Sequence, residues 1–212
     1  MRSRLAGMGK EIFVSVDIEA SGPVPGTYSM LAVGASVVGR SDQHFFAELR
    51  PINNASVAAA MRVVGRTLEE FRQIGREPVD VMSEFAAWIR KVSGNGKPVF
   101  VGFNAAFDWA FVNWYFDTFQ TENPFGVSAL DIKSFYMGMA GCAWKETRSS
   151  RLPNKYRSEK PHTHNALSDA IEQAEIFEKM ARDILNSRYL PDIKSIVATQ
   201  SLLYRTRHMK RS

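Results

Sequence analysis

The sequence predicts an α/β domain, a mixed five-stranded sheet with helices packed on it. Three observations support this. Three β-branched, apolar segments lie close together near the start, joined by short polar connections. Helix-period segments then alternate with short apolar runs. The chain has 212 residues, 45% of them hydrophobic and 23% charged, which suffices for one full-sized domain with a real core.

Residues 11–18 are a β-branched run that reads as a buried strand. Residues 29–38 and 43–50 read as two more strands, and the short links make the three an antiparallel meander. Residues 79–92 place Val81, Phe85, Trp88 and Ile89 on one helical face, and Gly94, Gly96 and Pro98 end that helix. Residues 98–103 form a fourth strand, followed by an aromatic-rich helix from about 106 to 120. Residues 128–132 read as a short fifth strand. The last helix covers 166–186, with a stripe of Leu167, Ala170, Ile171, Ala174, Phe177, Met180, Ala181, Ile184 and Leu185. A meander followed by strand–helix units implies a mixed sheet. Residues 141–163 read as a long polar loop. The expected organisation is a single domain over 1–187 and a basic extension over 188–212, helical or packed on the body.

One cysteine, Cys142, excludes an internal disulfide and a cysteine-based zinc site and suits a reducing compartment. No run of 18 apolar residues appears, and the basic first residues lack the apolar core of a signal peptide, so the cytoplasm is the expected location. The net charge of +5 is unevenly placed. Residues 145–160 carry +4 and residues 188–212 carry +5, which points to polyanionic partners.

The chemistry lies in three small clusters. Asp17 and Glu19 stand two apart on the first strand, so both side chains share a face. Two acids on an apolar strand repel each other and lose hydration, a conflict that a divalent cation relieves. Asp108 sits near the start of the aromatic helix, after a turn through Asn104, Ala105 and Ala106, where open α/β sheets often bind ligands. His164 and Asp169 flank the start of the last helix, with Asn165 as its N-cap. Each cluster alone has an ordinary structural explanation. His162, two residues before His164, is assigned to the background as a loop histidine. Phe103, Phe107 and Trp109 could stack bases, although core packing is the better expectation for all three.

Taken in order, these clusters resemble the motifs of the DEDDh 3′–5′ exonucleases, the DnaQ-like group with a ribonuclease H-like fold. The first motif is Asp17-Ile18-Glu19-Ala20-Ser21-Gly22, the second Asn104-Ala105-Ala106-Phe107-Asp108, and the third His164 through Asp169 with four residues between. The sister group with tyrosine would need that residue at 165, which is Asn. The resemblance covers roughly residues 11–187. It implies two divalent cations, Mg²⁺ or Mn²⁺, held by Asp17, Glu19, Asp108 and Asp169. It also implies His164 as the general base on an attacking water and nucleoside 5′-monophosphates as products. Ala20, Ser21 and Asn104 are the implied contacts to the 3′ nucleotide, with Ala20 standing where many members have Thr.

Arg148, Arg151, Lys155 and Arg157 precede His164 closely and are proposed phosphate contacts, Arg148 and Arg151 foremost. Single-stranded 3′ ends of RNA or DNA are the expected partners. The competing readings are a non-catalytic nucleic-acid-binding module on the same fold and a polymerase-associated proofreading exonuclease. The aromatic middle and the tail can support a homodimer without requiring one. Gln200-Ser201-Leu202-Leu203-Tyr204 loosely resembles the peptide that bacterial polymerase clamps bind, a pattern short enough to arise by chance.

Overall fold

The computed structural model describes residues 11–158 and 163–186. The chain divides into two compact units between Lys179 and Met180, within the last helix. Of the second unit only the end of that helix is described, with Leu185 exposed rather than part of an apolar stripe. The basic extension at 188–212 lies outside the described residues, as does His162.

Strands β1 (Glu11–Ala20), β2 (Met30–Val37) and β3 (Arg40–Glu48) form the expected meander. Strands β4 (Lys97–Gly102) and β5 (Ala129–Asp131) then add in parallel, giving the order β3-β2-β1-β4-β5. The sheet is therefore mixed, with β1 at its centre, antiparallel to β2 and parallel to β4. Helix α3 (Pro78–Ser93) buries Val81, Met82, Phe85, Ala86 and Ile89, while Trp88 is partly buried. Its Pro78 stands at the first helical position, where the missing N–H costs nothing. Helix α4 (Ala105–Thr118) buries Phe111, Val112, Tyr115 and Phe116, and the Tyr115 hydroxyl accepts the Met30 N–H at 2.7 Å.

Three helices go beyond what periodicity predicts. Helices α1 (Ala58–Val64) and α2 (Leu68–Ile74) have seven residues each, and α5 (Ile132–Ala140) has nine. Helix α1 buries no residue and α2 buries only Phe71, so neither carries an apolar stripe. The part of the polar segment that is described, 141–158 and 163, is also more ordered than its composition suggests. It contains 3₁₀ turns at Trp144–Thr147 and Ser149–Arg151, and Thr147, Leu152 and Tyr156 are buried. Arg157 closes it, donating to the Leu152 and Ser150 carbonyls at 2.8 and 2.6 Å.

The two faces of β1 differ. Ile12, Val14, Val16, Ile18 and Ala20 enter the main core with α3 and α4. The alternate residues, Phe13, Ser15, Asp17 and Glu19, point the other way, and Phe13 meets Phe177 of helix α6 (Ala166–Asn186) with ring centroids 5.3 Å apart. Asp17 pairs directly with Gly34 of β2. A Cβ at Gly34 would collide with the backbone of Ala166 and Leu167, so the missing side chain lets the first turn of α6 rest on the sheet beside Asp17.

Gly34→Ala is accordingly expected to cost about 1–3 kcal/mol through forced displacement of packed backbone. The measurement is the urea unfolding midpoint, and an unchanged midpoint would show that the helix yields freely.

Candidate active site

The carboxyl ends of β1 and β4 lie side by side, where parallel α/β sheets place ligands. The β1–β4 ladder ends at the Ser15–Val101 pair. Beyond it, the Ile18 amide donates to Asp108 Oδ1 at 3.1 Å, a partner that buried backbone N–H requires. That bond brings the first turn of α4 against the acidic end of β1. Asp108 is buried.

Helix α6 delivers the third cluster. Asn165 caps it, its Oδ1 accepting the Ser168 N–H at 3.1 Å. Asp169 is buried, and its Oδ1 accepts the Thr163 N–H at 3.0 Å. One turn on, the Gln173 amide donates to Asp17 Oδ1 at 2.7 Å and accepts the Phe103 N–H at 2.8 Å. Ligand oxygens of Asp17, Glu19 and Asp169 lie within 4.8 Å of one another. Asp108 stands outside that trio but lines the same pocket.

The pocket has a volume of ≈ 280 Å³ and is lined by all four acids together with His164, Asn104, Phe103, Phe107 and Ser149. His164 and Asn104 both adopt left-handed backbone, with φ of 53° and 70°. Such conformations cost of order 1 kcal/mol or more in non-glycine residues and concentrate at functional sites.

The acids are in electrostatic conflict. Asp17 is held well above the ordinary carboxylate range, first by burial and then by the charges of Asp108, Glu19 and Asp169, while the Gln173 hydrogen bond opposes the shift. Burial, and then the Asp169 charge, push Glu19 up from its ordinary 4.5 to about 7. Burial also raises Asp108, with the Ile18 amide pulling against it. The donor set is all oxygen and mutually repulsive, which fits hard divalent cations.

The expected substrate contacts fall in different places. Ala20 and Ser21 are buried and do not line the pocket. The Ser21 hydroxyl donates to the Ala55 carbonyl at 2.8 Å and accepts the Ser29 N–H at 2.9 Å, so it holds the adjoining loop together. Asn104 does line the pocket. Arg148 and Arg151 are exposed and flank Ser149, a residue of the pocket wall, and Arg151 pairs with Glu146 at 2.8 Å. Phe103, Phe107 and Trp109 are all partly buried; Phe107 and Trp109 pack against the core as expected, on Phe111 and Phe100 respectively, while Phe103 and Phe107 also line the pocket. Gln173 belongs to none of the sequence clusters. Its position four residues after Asp169, on the same helical face, is the signal that could have found it.

A mixed sheet of this strand order, with acids gathered where its parallel strands end, has the architecture of a ribonuclease H-like fold. The RNase T exonuclease family model matches residues 14–177. A 3′–5′ DNA exonuclease of Escherichia coli, Cap18, is 48% identical over 169 residues, which cover 79% of this chain and 90% of the relative. The nuclease domain of 3′hExo, a DEDDh family member bound to rAMP, superposes with a TM-score of 0.68 at 16% identity, covering 81% of this chain and 92% of its own. Escherichia coli Exonuclease I in complex with a dA16 oligonucleotide gives 0.60 at 16% identity, covering 82% and 41%. These last two likenesses show the fold. The chain belongs to the RNase T exonuclease family and is a 3′–5′ exonuclease. The family works with divalent metal ions. No helix among the described residues is long and apolar enough to cross a membrane.

The raised carboxylates set a pH dependence. Glu19 binds its proton more tightly folded than unfolded, so its contribution to stability is full below about 4.5 and is lost as pH rises towards about 7. The melting temperature of metal-stripped protein should fall between pH 5 and 7.5, less steeply in Glu19→Gln. Saturating Mn²⁺ should restore it at pH 7.5 by replacing the protons. A stripped wild-type protein whose melting temperature falls no more steeply than the variant's contradicts this assignment.

Proposed function

We propose that the enzyme removes nucleotides one at a time from the 3′ ends of single-stranded DNA and releases nucleoside 5′-monophosphates. One observation carries the reading: acids from β1, α4 and α6 and a histidine, far apart in sequence, line one pocket. The choice of DNA is supported by the 48% identity to a relative named as a DNA exonuclease.

Asp17, Glu19, Asp108 and Asp169 would hold two divalent cations, Mg²⁺ or Mn²⁺. When bound, the ions supply Lewis-acid stabilisation of the phosphate and leaving oxygens and make a water more acidic. His164, on the pocket wall, takes the proton from the attacking water. The water oxygen bonds to phosphorus, the bond to the 3′ oxygen of the preceding nucleotide breaks, and the terminal nucleotide leaves with its 5′ phosphate. Phe103 and Phe107 offer ring surface to the terminal base, which suits a sequence-tolerant enzyme. Asn104 adds a polar contact at the same wall. Arg148 and Arg151, exposed and near in sequence to Ser149 of the pocket wall, would meet the strand's phosphates outside the pocket. A reducing compartment suits the single cysteine, and the proposal places the enzyme in the cytoplasm. Nothing among the described residues calls for a homodimer, and the clamp-like peptide at 200–204 lies outside them.

The test uses matched DNA and RNA oligonucleotides labelled at either end, with Mn²⁺ or Mg²⁺. Stepwise loss from the 3′ end of single-stranded DNA is expected. Asp108→Ala should lose at least about 10³-fold in rate, and His164→Ala should lose about 10²–10⁴-fold with metal binding retained. Faster degradation of RNA than DNA would overturn the substrate assignment, and full activity in Asp108→Ala the mechanism.

Replacing Arg148 and Arg151 together with Gln should flatten the salt dependence of oligonucleotide binding, by roughly 0.7 in log–log slope for each phosphate no longer neutralised. An unchanged slope would remove both residues from the strand's path.

A further inference from the structure

We propose that Gln173 is a positioning residue that fixes the Asp17 carboxylate for metal binding. The proposal rests on the assignment of Asp17 to the metal site. Gln173 is buried, with both ends of its amide engaged: Nε2 donates to Asp17 Oδ1 at 2.7 Å and Oε1 accepts the Phe103 N–H at 2.8 Å. The backbone N–H of Phe103 can only donate, so it fixes which end of the amide is oxygen and turns the NH₂ group towards Asp17. The direction of the bond to Asp17 is therefore set by main chain rather than by the acid it serves.

Its placement joins three elements of the site. Gln173 lies one turn beyond Asp169 on α6, reaches Asp17 on β1, and ties down the residue that precedes Asn104 and the first turn of α4. With Oδ1 held by Gln173, the carboxylate cannot rotate freely, and its orientation is settled before a cation arrives. Donors of this kind, one step removed from the ion, are typically worth 10–100-fold in affinity or activity. An apolar side chain of similar length would pack in the same space but leave both partners unpaired.

Gln173→Met and Gln173→Asn in the full chain test this. The second stays polar but is one methylene too short to span both partners. Melting curves report folding, calorimetric Mn²⁺ titration without nucleic acid reports metal affinity, and steady-state kinetics on single-stranded DNA separate kcat from KM. Both variants should fold, bind Mn²⁺ about 10-fold or more weakly, and lose kcat with KM for the oligonucleotide within about 2-fold, as donors beyond the metal ligands do. Folded variants with wild-type Mn²⁺ affinity overturn the proposal, as does a loss expressed mainly in KM. Failure of both variants to fold assigns Gln173 to the core and also overturns it. A wild-type protein that takes up no Mn²⁺ overturns the metal site itself, and so is distinguishable from failure of the Gln173 role alone.

Discussion

Helix α6 reaches the acidic end of β1 because β2 has no side chain at Gly34. Gly34 is the direct partner of Asp17, and the backbone of Ala166 occupies the space its Cβ would fill. Close backbone approach is what glycine permits inside a strand. Residues 156 positions apart thereby come within hydrogen-bond distance, as Gln173 and Asp17 do. Asp169 joins Asp17 and Glu19 through the same contact. A helix displaced by a methyl group would still cover the sheet, but it would carry Asp169 and Gln173 away from the strand they serve.

That constraint also explains what is legible in the sequence. The β-branched runs and the helices at 78–93 and 166–186 announce themselves because each presents a period that burial enforces. Ser15, Asp17 and Glu19 fall on one face of β1 from period two alone. Helix α1 has no such signal, since it buries nothing, and α2 buries a single phenylalanine. A different signal is present for α2. Thr67 and Glu70 form a reciprocal capping box, a pattern visible as T-x-x-E without any apolar stripe. Likewise Asp131 caps α5 through the Ser134 amide. Depth is the quantity least legible. Phe103, expected in the core, forms pocket wall, and Phe107 packs on the core while also lining the pocket, whereas Ser21, expected in the cleft, is buried with its hydroxyl engaged. Aromatic and hydroxyl side chains are found on both sides of that boundary, and only the tertiary arrangement decides.

The loop before α6 illustrates the same point from another direction. Its basic composition reads as solvated chain, yet Thr147, Leu152 and Tyr156 are buried, and Tyr156 packs edge-on against Tyr136 at 6.0 Å. Arg157, one of four arginines and lysines grouped as phosphate contacts by sequence, instead holds the loop closed through two carbonyls. Lys155 lies over the Tyr156 ring at 4.6 Å. The basic segment thus divides its cations: Arg157 supports the loop, Arg148 faces outward, and Arg151 is exposed while pairing with Glu146 of the same segment.

The four acids are not equivalent in how they are held. One oxygen of each aspartate is taken by a donor from the fold: Gln173 for Asp17, the Ile18 amide for Asp108 and the Thr163 amide for Asp169. Two of those donors are main chain, which side-chain substitution does not remove. Each bond offsets part of the cost of a buried, repelled carboxylate and leaves it a fixed direction. Glu19 differs. It has a longer side chain, sits where the β1–β2 register shifts between Glu19 and Ala20, and accepts no hydrogen bond from any described residue. A register shift of this kind loosens the ladder around the side chain. Three carboxylates fixed by the fold and one without such a hydrogen bond would give the proposed metal site three oriented ligands and one freer to reorient.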